Sequence, residues 1–434
     1  MRPQLDQLSR TVLLCHDYLS GAAANDEICE RFQSCQALCV SDLRNLSSHT
    51  GQTALVTLVS LLSRLGMQVS LSIPEVPLIF LHPLLSGLEL RQALLDCSDK
   101  FIKGAMVRGE VNWQRADIVF VLGDTQVERL HPWLWRLSGT DWSGALAMSQ
   151  TANLWTATWP IGAITSAAMA STEAFKFVMR RLPIQDCGQE LFEPTKSCAW
   201  DFGSIPLPQT AIDLGRVDLI SAGAISQAAL YTLAHIPNLR IRGRIFDDDV
   251  TADSNLNRNM LTVTTDVGLP KVEVVARSCG AGFELEPVPT RFGANNAIGL
   301  AERILVGVDD IPSRWEVQRH APGWVGVSGT SHFSISSSAH NPDQPCSGCQ
   351  HPDDDPFQGA IPTVSFVSVW AGLVMAVRLV REALGYPYDA SRQHLWLTPL
   401  RMDKPHAAWW SPVPARRDCP VNCEAAQRLR GHAA

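Results

Sequence analysis

Apolar and polar positions along most of this chain alternate between two periods. Short apolar runs closed by turn residues are followed by longer stretches with apolar positions three and four apart, which predicts an alternating α/β order. In the second half, Val217 to Ile220 reads as a short strand, Ser221-Ala222-Gly223-Ala224-Ile225-Ser226-Gln227 as a tight turn, and the run through Leu230, Leu233 and Ile236 as a helix. A second strand, Leu239 to Phe246, ends in Asp247-Asp248-Asp249. Lys271 to Ala276 starts an amphipathic helix, Gly280 to Val288 reads as a strand, and Arg303 to Val308 is an apolar strand ending in Asp309-Asp310. Acidic side chains thus fall at the carboxyl edge of a parallel sheet, where nucleotides bind in folds of this kind.

The first half repeats the plan in weaker form, with Leu38 to Ser41 and Val69 to Ile73 as strands, a turn around Gly51, and a helix from Thr53 to Leu65. Ala116 to Leu122 resembles the later Arg303 to Val308 strand, and the long helix from Ile161 to Leu182 has its counterpart at Trp370 to Leu384. This self-similarity reads as an internal duplication. Pro183 to Thr210 carries Pro183, Pro194, Pro206 and Pro208 with little periodicity, which suits a linker or edge loop. The expected units are residues 1–205 and 206–434.

Composition supports two cores: the chain has 434 residues, 46% of them hydrophobic. A formal net charge of −7, with no long run of Lys or Arg, removes the footprint of a nucleic-acid binder. No apolar stretch is long enough to span a bilayer, and Arg2, Asp6, Arg10, Asp17, Asp26 and Glu27 break up the amino terminus. The sequence therefore points to no membrane partner and to a cytoplasmic location. Cys15, Cys29, Cys35, Cys39 and Cys97 sit among apolar neighbours as core thiols. Cys346-Ser347-Gly348-Cys349 and Cys419-Pro420-Val421-Asn422-Cys423 form two close pairs, and four thiolates suit a closed tetrahedral zinc site.

At the phosphate turn only Gly223 remains of the three glycines of a dinucleotide fingerprint, Ser221 and Ser226 replacing the outer two, and by itself that turn reads as helix packing. The ordered set that follows says more: Asp247-Asp248-Asp249, Ser254-Asn255-Leu256-Asn257-Arg258, Asp266-Val267-Gly268-Leu269-Pro270-Lys271, and Val308-Asp309-Asp310-Ile311-Pro312-Ser313-Arg314. Over most of residues 215–425 it resembles the ubiquitin-activating superfamily, including the bacterial enzymes that adenylate sulfur-carrier proteins for molybdopterin and thiamine synthesis. The resemblance implies two Rossmann-like adenylation lobes in one chain, the first degenerate, as in two-lobed bacterial activators of ubiquitin-like proteins. That is an internal pseudo-dimer, with higher homo-oligomers left open.

It further implies ATP and Mg2+ as cofactors. Gly223 would lie at the turn, Asp247 on the ribose hydroxyls, Asp249 near metal or phosphates, Asn255, Arg258 and Lys271 on the phosphates, and Asp309 on magnesium. Arg10, in Gln7-Leu8-Ser9-Arg10, matches the opening-helix arginine that reaches into a partner's ATP site. The family commonly holds Zn2+ on two Cys-x-x-Cys pairs; here the second pair has one extra residue. The implied activity is adenylation of the C-terminal carboxylate of a ubiquitin-like protein, with transfer to an enzyme nucleophile or a conjugating enzyme.

Family members that form a thioester place its cysteine where this chain reads Ile361-Pro362-Thr363-Val364-Ser365-Phe366-Val367-Ser368, and no cysteine occurs between Cys349 and Cys419. Three alternatives follow: an oxyester on Thr363, Ser365 or Ser368, release of the acyl-adenylate as peptide-adenylating relatives do, or a remote cysteine among Cys187, Cys198 and Cys279. The Ser- and His-rich segment Gly326 to His340 reads as a crossover loop. Competing functions are a sulfur-carrier or peptide adenylyltransferase, a nicotinamide-dependent oxidoreductase on the same sheet, and a scaffold without catalysis.

Overall fold

The computed structural model describes residues 3–431, apart from 22, 111, 128, 130, 150, 209, 321 and 355–360. Among the described residues the strands form two sheets with one wiring. The first comprises β1 (Gln36–Val40), β2 (Gln68–Ser72), β3 (Val107–Arg108), β4 (Ile118–Leu122), β5 (Leu134–Gly139), β6 (Ser143–Ala147) and β7 (Ser197–Asp201), in the order β3-β2-β1-β4-β5-β6-β7. The second comprises β8 (Ile212–Ile220), β9 (Leu239–Phe246), β10 (Phe283–Val288), β11 (Arg303–Val306), β12 (Trp324–Ser331), β13 (Ser334–His340), β14 (His394–Leu397) and β15 (Ala408–Ser411), in the order β10-β9-β8-β11-β12-β13-β14-β15. Each sheet is parallel through its first five strands and antiparallel beyond them.

The helices that position the site are α1 (Ser9–His16), α2 (Leu43–Leu46), α3 (His49–Arg64), α4 (Ile161–Met179), α5 (Ala224–Ala234), α6 (Lys271–Ser278), α7 (Ile311–Arg319) and α8 (Ser365–Ala383). Nearly every residue of α3, α4 and α5 is buried, as is most of α8. All-round burial of this kind requires helices packed on several sides. They meet across the two halves: Thr57 Oγ1 lies 2.9 Å from the Tyr231 hydroxyl, and the Phe175 and Phe366 rings meet edge to face at 5.6 Å. Gly372 of α8 stands where a Cβ would come within 2.5 Å of Ala228, so its lack of a side chain sets the α8–α5 distance. One hydrophobic core runs through both sheets and all four helices.

The Ser- and His-rich segment is not a loop. It forms β12 and β13, paired antiparallel from Val325↔His340 to Ser331↔Ser334. Serine disguises the strand because its inward hydroxyls satisfy one another: Ser328 donates to Ser337 at 2.9 Å, both buried. The proline-rich stretch after residue 183 likewise contains the edge strand β7. Ser365 and Ser368 lie in the first turn of α8, which starts further upstream than its apolar period predicts.

Candidate active site

In the second sheet β8 connects to β9 on one side while β11 connects to β12 on the other, and a crevice opens beyond their carboxyl ends. There lies a cavity of about 910 Å³, lined by Arg10, Gly223, Asp247, Asp248, Asp249, Asn255, Arg258, Asn259, Lys271, Arg291, Asp309, Thr363 and Ser368 among others. The nucleotide-site residues and hydroxyls selected from the sequence thus line one cleft, Ser365 alone of these standing back from its wall.

The turn after β8 holds Ser221 at φ +94°, the left-handed region that favours glycine. Its hydroxyl accepts the Gly223 N–H at 2.9 Å and donates to the Asp247 carboxylate at 3.3 Å. Asp247 also accepts the Ala222 N–H at 2.7 Å and the Asp249 N–H at 2.9 Å. A serine has therefore taken over a glycine position, and Asp247 locks the turn by bridging the ends of β8 and β9.

The cations rest on acceptors of their own chain. Lys271, at the start of α6, binds the Asp249 carboxylate. Arg258 donates to the Ser254 carbonyl and, at 3.0 Å, to Asn257 Oδ1. Burial lowers the Arg258 guanidinium to about 10, so it remains charged at neutral pH. Asn255 Oδ1 accepts the Ala252 N–H at 2.9 Å. Asp309, beyond β11, is open to the cleft yet hemmed in by protein; burial raises its carboxyl, and Arg314, Arg258, Arg10 and Lys271 oppose that rise.

Three contributors escaped the sequence reading. Arg314 is buried and donates to the Val308 carbonyl at 3.1 and 2.8 Å, fixing the strand end before Asp309. Its place in the Asp309 motif was the available signal. Asn259 is buried with its amide nitrogen unpartnered among the described residues, a donor left for a ligand. Arg291 lines the cavity and pairs with Asp310 at 3.5 Å.

Arg10 enters from the first half. Thr11 beside it accepts the Asn257 amide at 3.0 Å, Gln7 donates to Asp253 at 3.0 Å, and Arg10 donates to the Ile361 carbonyl at 3.2 Å. Helix α1 is thereby stitched to the segment bearing Asn255 and Arg258.

The unpartnered Asn259 amide and cations held on replaceable internal acceptors fit a polyphosphate, and the Asp247, Asp248 and Asp249 carboxylates, within 4.8 Å of one another, can hold a divalent cation. The Cys346, Cys349, Cys419 and Cys423 sulfurs also lie within 4.8 Å of one another, with 3.5 Å between Cys346 and Cys419 and 3.6 Å between Cys349 and Cys423. Tetrahedral zinc with bonds of about 2.3 Å places sulfurs about 3.8 Å apart, so the set fits a metal. The remote thiols fare worse as nucleophiles: burial pushes Cys198 up to about 12 and raises Cys279 further, away from the reactive thiolate. The Cys187 side chain lies outside the described residues.

Strand register maps the cleft onto the first sheet. Val40 pairs with Ser72 and Val121 as Ile220 pairs with Phe246 and Val306, so Ile73 occupies the place of Asp247 and Asp124 that of Asp309. There the Asn45 amide donates to Asp42, Asp124 and Thr125 at 3.0, 3.0 and 3.1 Å, and its oxygen accepts the Trp155 N–H at 3.1 Å. Arg136, in register with Val327, donates to the Gly123 and Thr125 carbonyls.

A family model described as the ThiF family matches residues 207–423, half of the chain and the whole of this cleft except Arg10. The chain belongs to the ThiF family. The superfamily resemblance drawn from the ordered motifs thus holds, and the ThiF half is the half with the open cleft. A second model, described as the BilD N-terminal domain, matches residues 40–189. The uncharacterized protein y4jF of Sinorhizobium fredii is 24% identical over 225 residues, 49% of this chain and 43% of that one. The SAMP-activating enzyme E1 of Haloferax volcanii is 28% identical over 176 residues, 38% of this chain and 64% of that enzyme. The chain thus spans less than two thirds of each of these relatives. A crystal structure of E. coli MccB with selenomethionine MccA aligns with a TM-score of 0.41 at 16% identity, covering 48% of this chain and 66% of that one, too loose a likeness to bear on function. Among the described residues no helix is long and apolar enough to cross a membrane.

Proposed function

We propose that the ThiF half adenylates the C-terminal carboxylate of a ubiquitin-like protein with ATP and Mg2+. The observation that carries this reading is the convergence of Arg258, Lys271, Asn255, Asn259 and Asp309 on one cleft. A carboxylate attacking the α-phosphoryl group brings negative charge to an anionic centre, so fixed cations and donors must offset it. Arg258 and Lys271 would leave their internal acceptors for the phosphates, Asp309 with Asp249 would hold magnesium, and Asp247 and Gly223 would shape the nucleoside end. Mg2+ would supply charge neutralisation there. A nicotinamide enzyme would leave Arg258, Lys271 and Asp309 without a task.

The first lobe is degenerate in this reading. Ile73 in place of the Asp247 carboxylate, and Asn45 and Arg136 bonded into the position of the cleft, support that assignment. The lobe's role is to supply Arg10 and the packing surface of a pseudo-dimer divided near residue 205. Zn2+ on the four cysteines ties the segment after Cys419 to the loop at Cys346, a structural role because a closed thiolate site leaves no open position. Consumption of ATP fits the cytoplasmic location expected from the sequence.

For transfer, the acceptor we favour is the nucleophile of a separate conjugating enzyme. Thr363, Ser365 and Ser368 have no hydrogen-bonded base among the described residues, and an unactivated hydroxyl is a weak nucleophile. The test is ATP–pyrophosphate exchange with a ubiquitin-like protein, followed by denaturing electrophoresis with and without reductant. Exchange that depends on that protein and on Arg258 supports the reading; a base-labile, reductant-stable adduct would move the acceptor to a hydroxyl of this chain.

A further inference from the structure

Helix α8 runs for nineteen residues, and its amino end faces the cleft: Ile361, Pro362 and Thr363 just before it and Ser368 within its first turn line the cavity. Its N-cap residue is Val364, and no side chain caps that end. The Val367 and Ser368 N–H groups bond to the Val364 carbonyl, and the N–H groups ahead of them have no capping side chain to accept from them.

Around this end stand three hydroxyls withdrawn from solvent, Thr363 at 6%, Ser365 at 0% and Ser368 at 1% exposure. None has a hydrogen-bond partner among the described residues. Buried hydroxyls without partners are costly, and the two that line the cleft, Thr363 and Ser368, make with the uncapped helix end a set of donors that an acceptor completes. The helix dipole selects a negative one. Arg10, bonded to the Ile361 carbonyl at 3.2 Å, lines the same cavity as Arg258 and Lys271. The cleft therefore carries anion-seeking donors at the α8 end in addition to the cations assigned to the triphosphate. As nucleophiles these hydroxyls lack a base; as donors they need nothing more.

We propose that the amino end of α8, with Thr363 and Ser368, is the subsite for the carboxylate that becomes adenylated. The subsite rests on the adenylation reading. One carboxylate oxygen bonds to the α-phosphorus, the bond from that phosphorus to the bridging oxygen breaks, and pyrophosphate leaves with the electron pair. No proton moves. The second oxygen becomes the acyl carbonyl and stays on the hydroxyl and N–H donors, which orient the carboxylate in line with the leaving group.

Calorimetric titration with AMP and with 5′-O-(N-glycyl)sulfamoyladenosine, a stable mimic of an acyl-adenylate, tests this without knowledge of the natural partner. Wild type binds the glycyl compound more tightly than AMP. Thr363→Val and Ser368→Ala each weaken the glycyl compound about fivefold or more, while AMP affinity changes by less than about twofold. Thr363→Ser, which keeps the hydroxyl, restores the difference. Variants that bind both compounds as wild type does, or lose both together, overturn the subsite. A wild type that binds AMP but gains nothing from the glycyl group overturns the subsite alone, and one that binds neither overturns the adenylation reading with it.

Discussion

Arg258, partly buried, and Lys271, buried, are cations whose present partners, the Ser254 carbonyl and the Asp249 carboxylate, are ones that an anionic ligand can replace. Arg258→Ala is expected to lower kcat/KM for pyrophosphate exchange about 10²- to 10³-fold, the usual effect of deleting one preorganised charge or donor. Arg10→Ala should weaken the same exchange while the fold persists, because its helix is held separately by Thr11 and Gln7. An Arg10→Ala enzyme with wild-type exchange would remove the first half from the chemistry. Asp247, Asn255, Arg258, Lys271 and Asp309 could be brought to one cleft from the sequence alone through the ordered motifs of the superfamily resemblance. The roles of Ser221 and Asp247 in holding the turn were not legible there. A positive φ at a serine and a carboxylate spent on backbone N–H groups are properties of folded geometry, with no signature in residue order.

At the scale of elements, α/β alternation was readable wherever apolar runs were clean, and failed at β12–β13, where buried serines satisfy one another and mimic a polar loop. Helix α8 begins before its apolar stripe because Ser365 and Ser368 are buried without being apolar. The two cysteine pairs were legible by spacing, and their extra residue does not keep the sulfurs apart. Cys346→Ser, or a strong chelator, is expected to release the segment after Cys419 to proteolysis and amide exchange while leaving the cleft folded, since Cys346, Cys349 and Cys419 share a small core separate from the main one. At the end of α5, His235 Nδ1 bonds the Tyr231 carbonyl at 2.8 Å, which leaves Nε2 to accept from His82 at 2.9 Å. Burial lowers His235 to about 3 and His82 well below its ordinary value, so both stay neutral in the fold. The unfolded chain takes up these protons below about pH 6.5, whereas folded His235 does not until near pH 3 and folded His82 only well below its ordinary value. Stability is therefore complete above about pH 6.5 and falls as pH drops, by up to about 1.4 kcal/mol per unit for each histidine. Denaturant titrations in that window check the slope, and replacing His235 by Gln should flatten it.

Across the whole molecule the halves are two copies of one wiring closed over a single core, so neither buries its helices alone. The duplication was readable from paired helices and strands; the depth of the seam was not, because it depends on residues such as Arg64. That side chain, fully buried on α3, donates to the Leu256, Met260 and Thr262 carbonyls of the ThiF half and stacks on Phe101. Arg64→Met leaves three carbonyls without their donor and should cost about 3 kcal/mol or more in global stability, read by chemical denaturation. In the proposed reading only the ThiF half binds nucleotide, the equivalent place in the first half holding the hydrogen-bonded Asn45. Magnesium–ATP titration of the full chain by calorimetry tests that asymmetry most directly. The expected result is one nucleotide per chain, lost in Asp309→Ala and kept in Asp124→Asn. Two nucleotides per chain, or binding that survives Asp309→Ala and disappears with Asp124→Asn, would contradict a single adenylation site in the ThiF half.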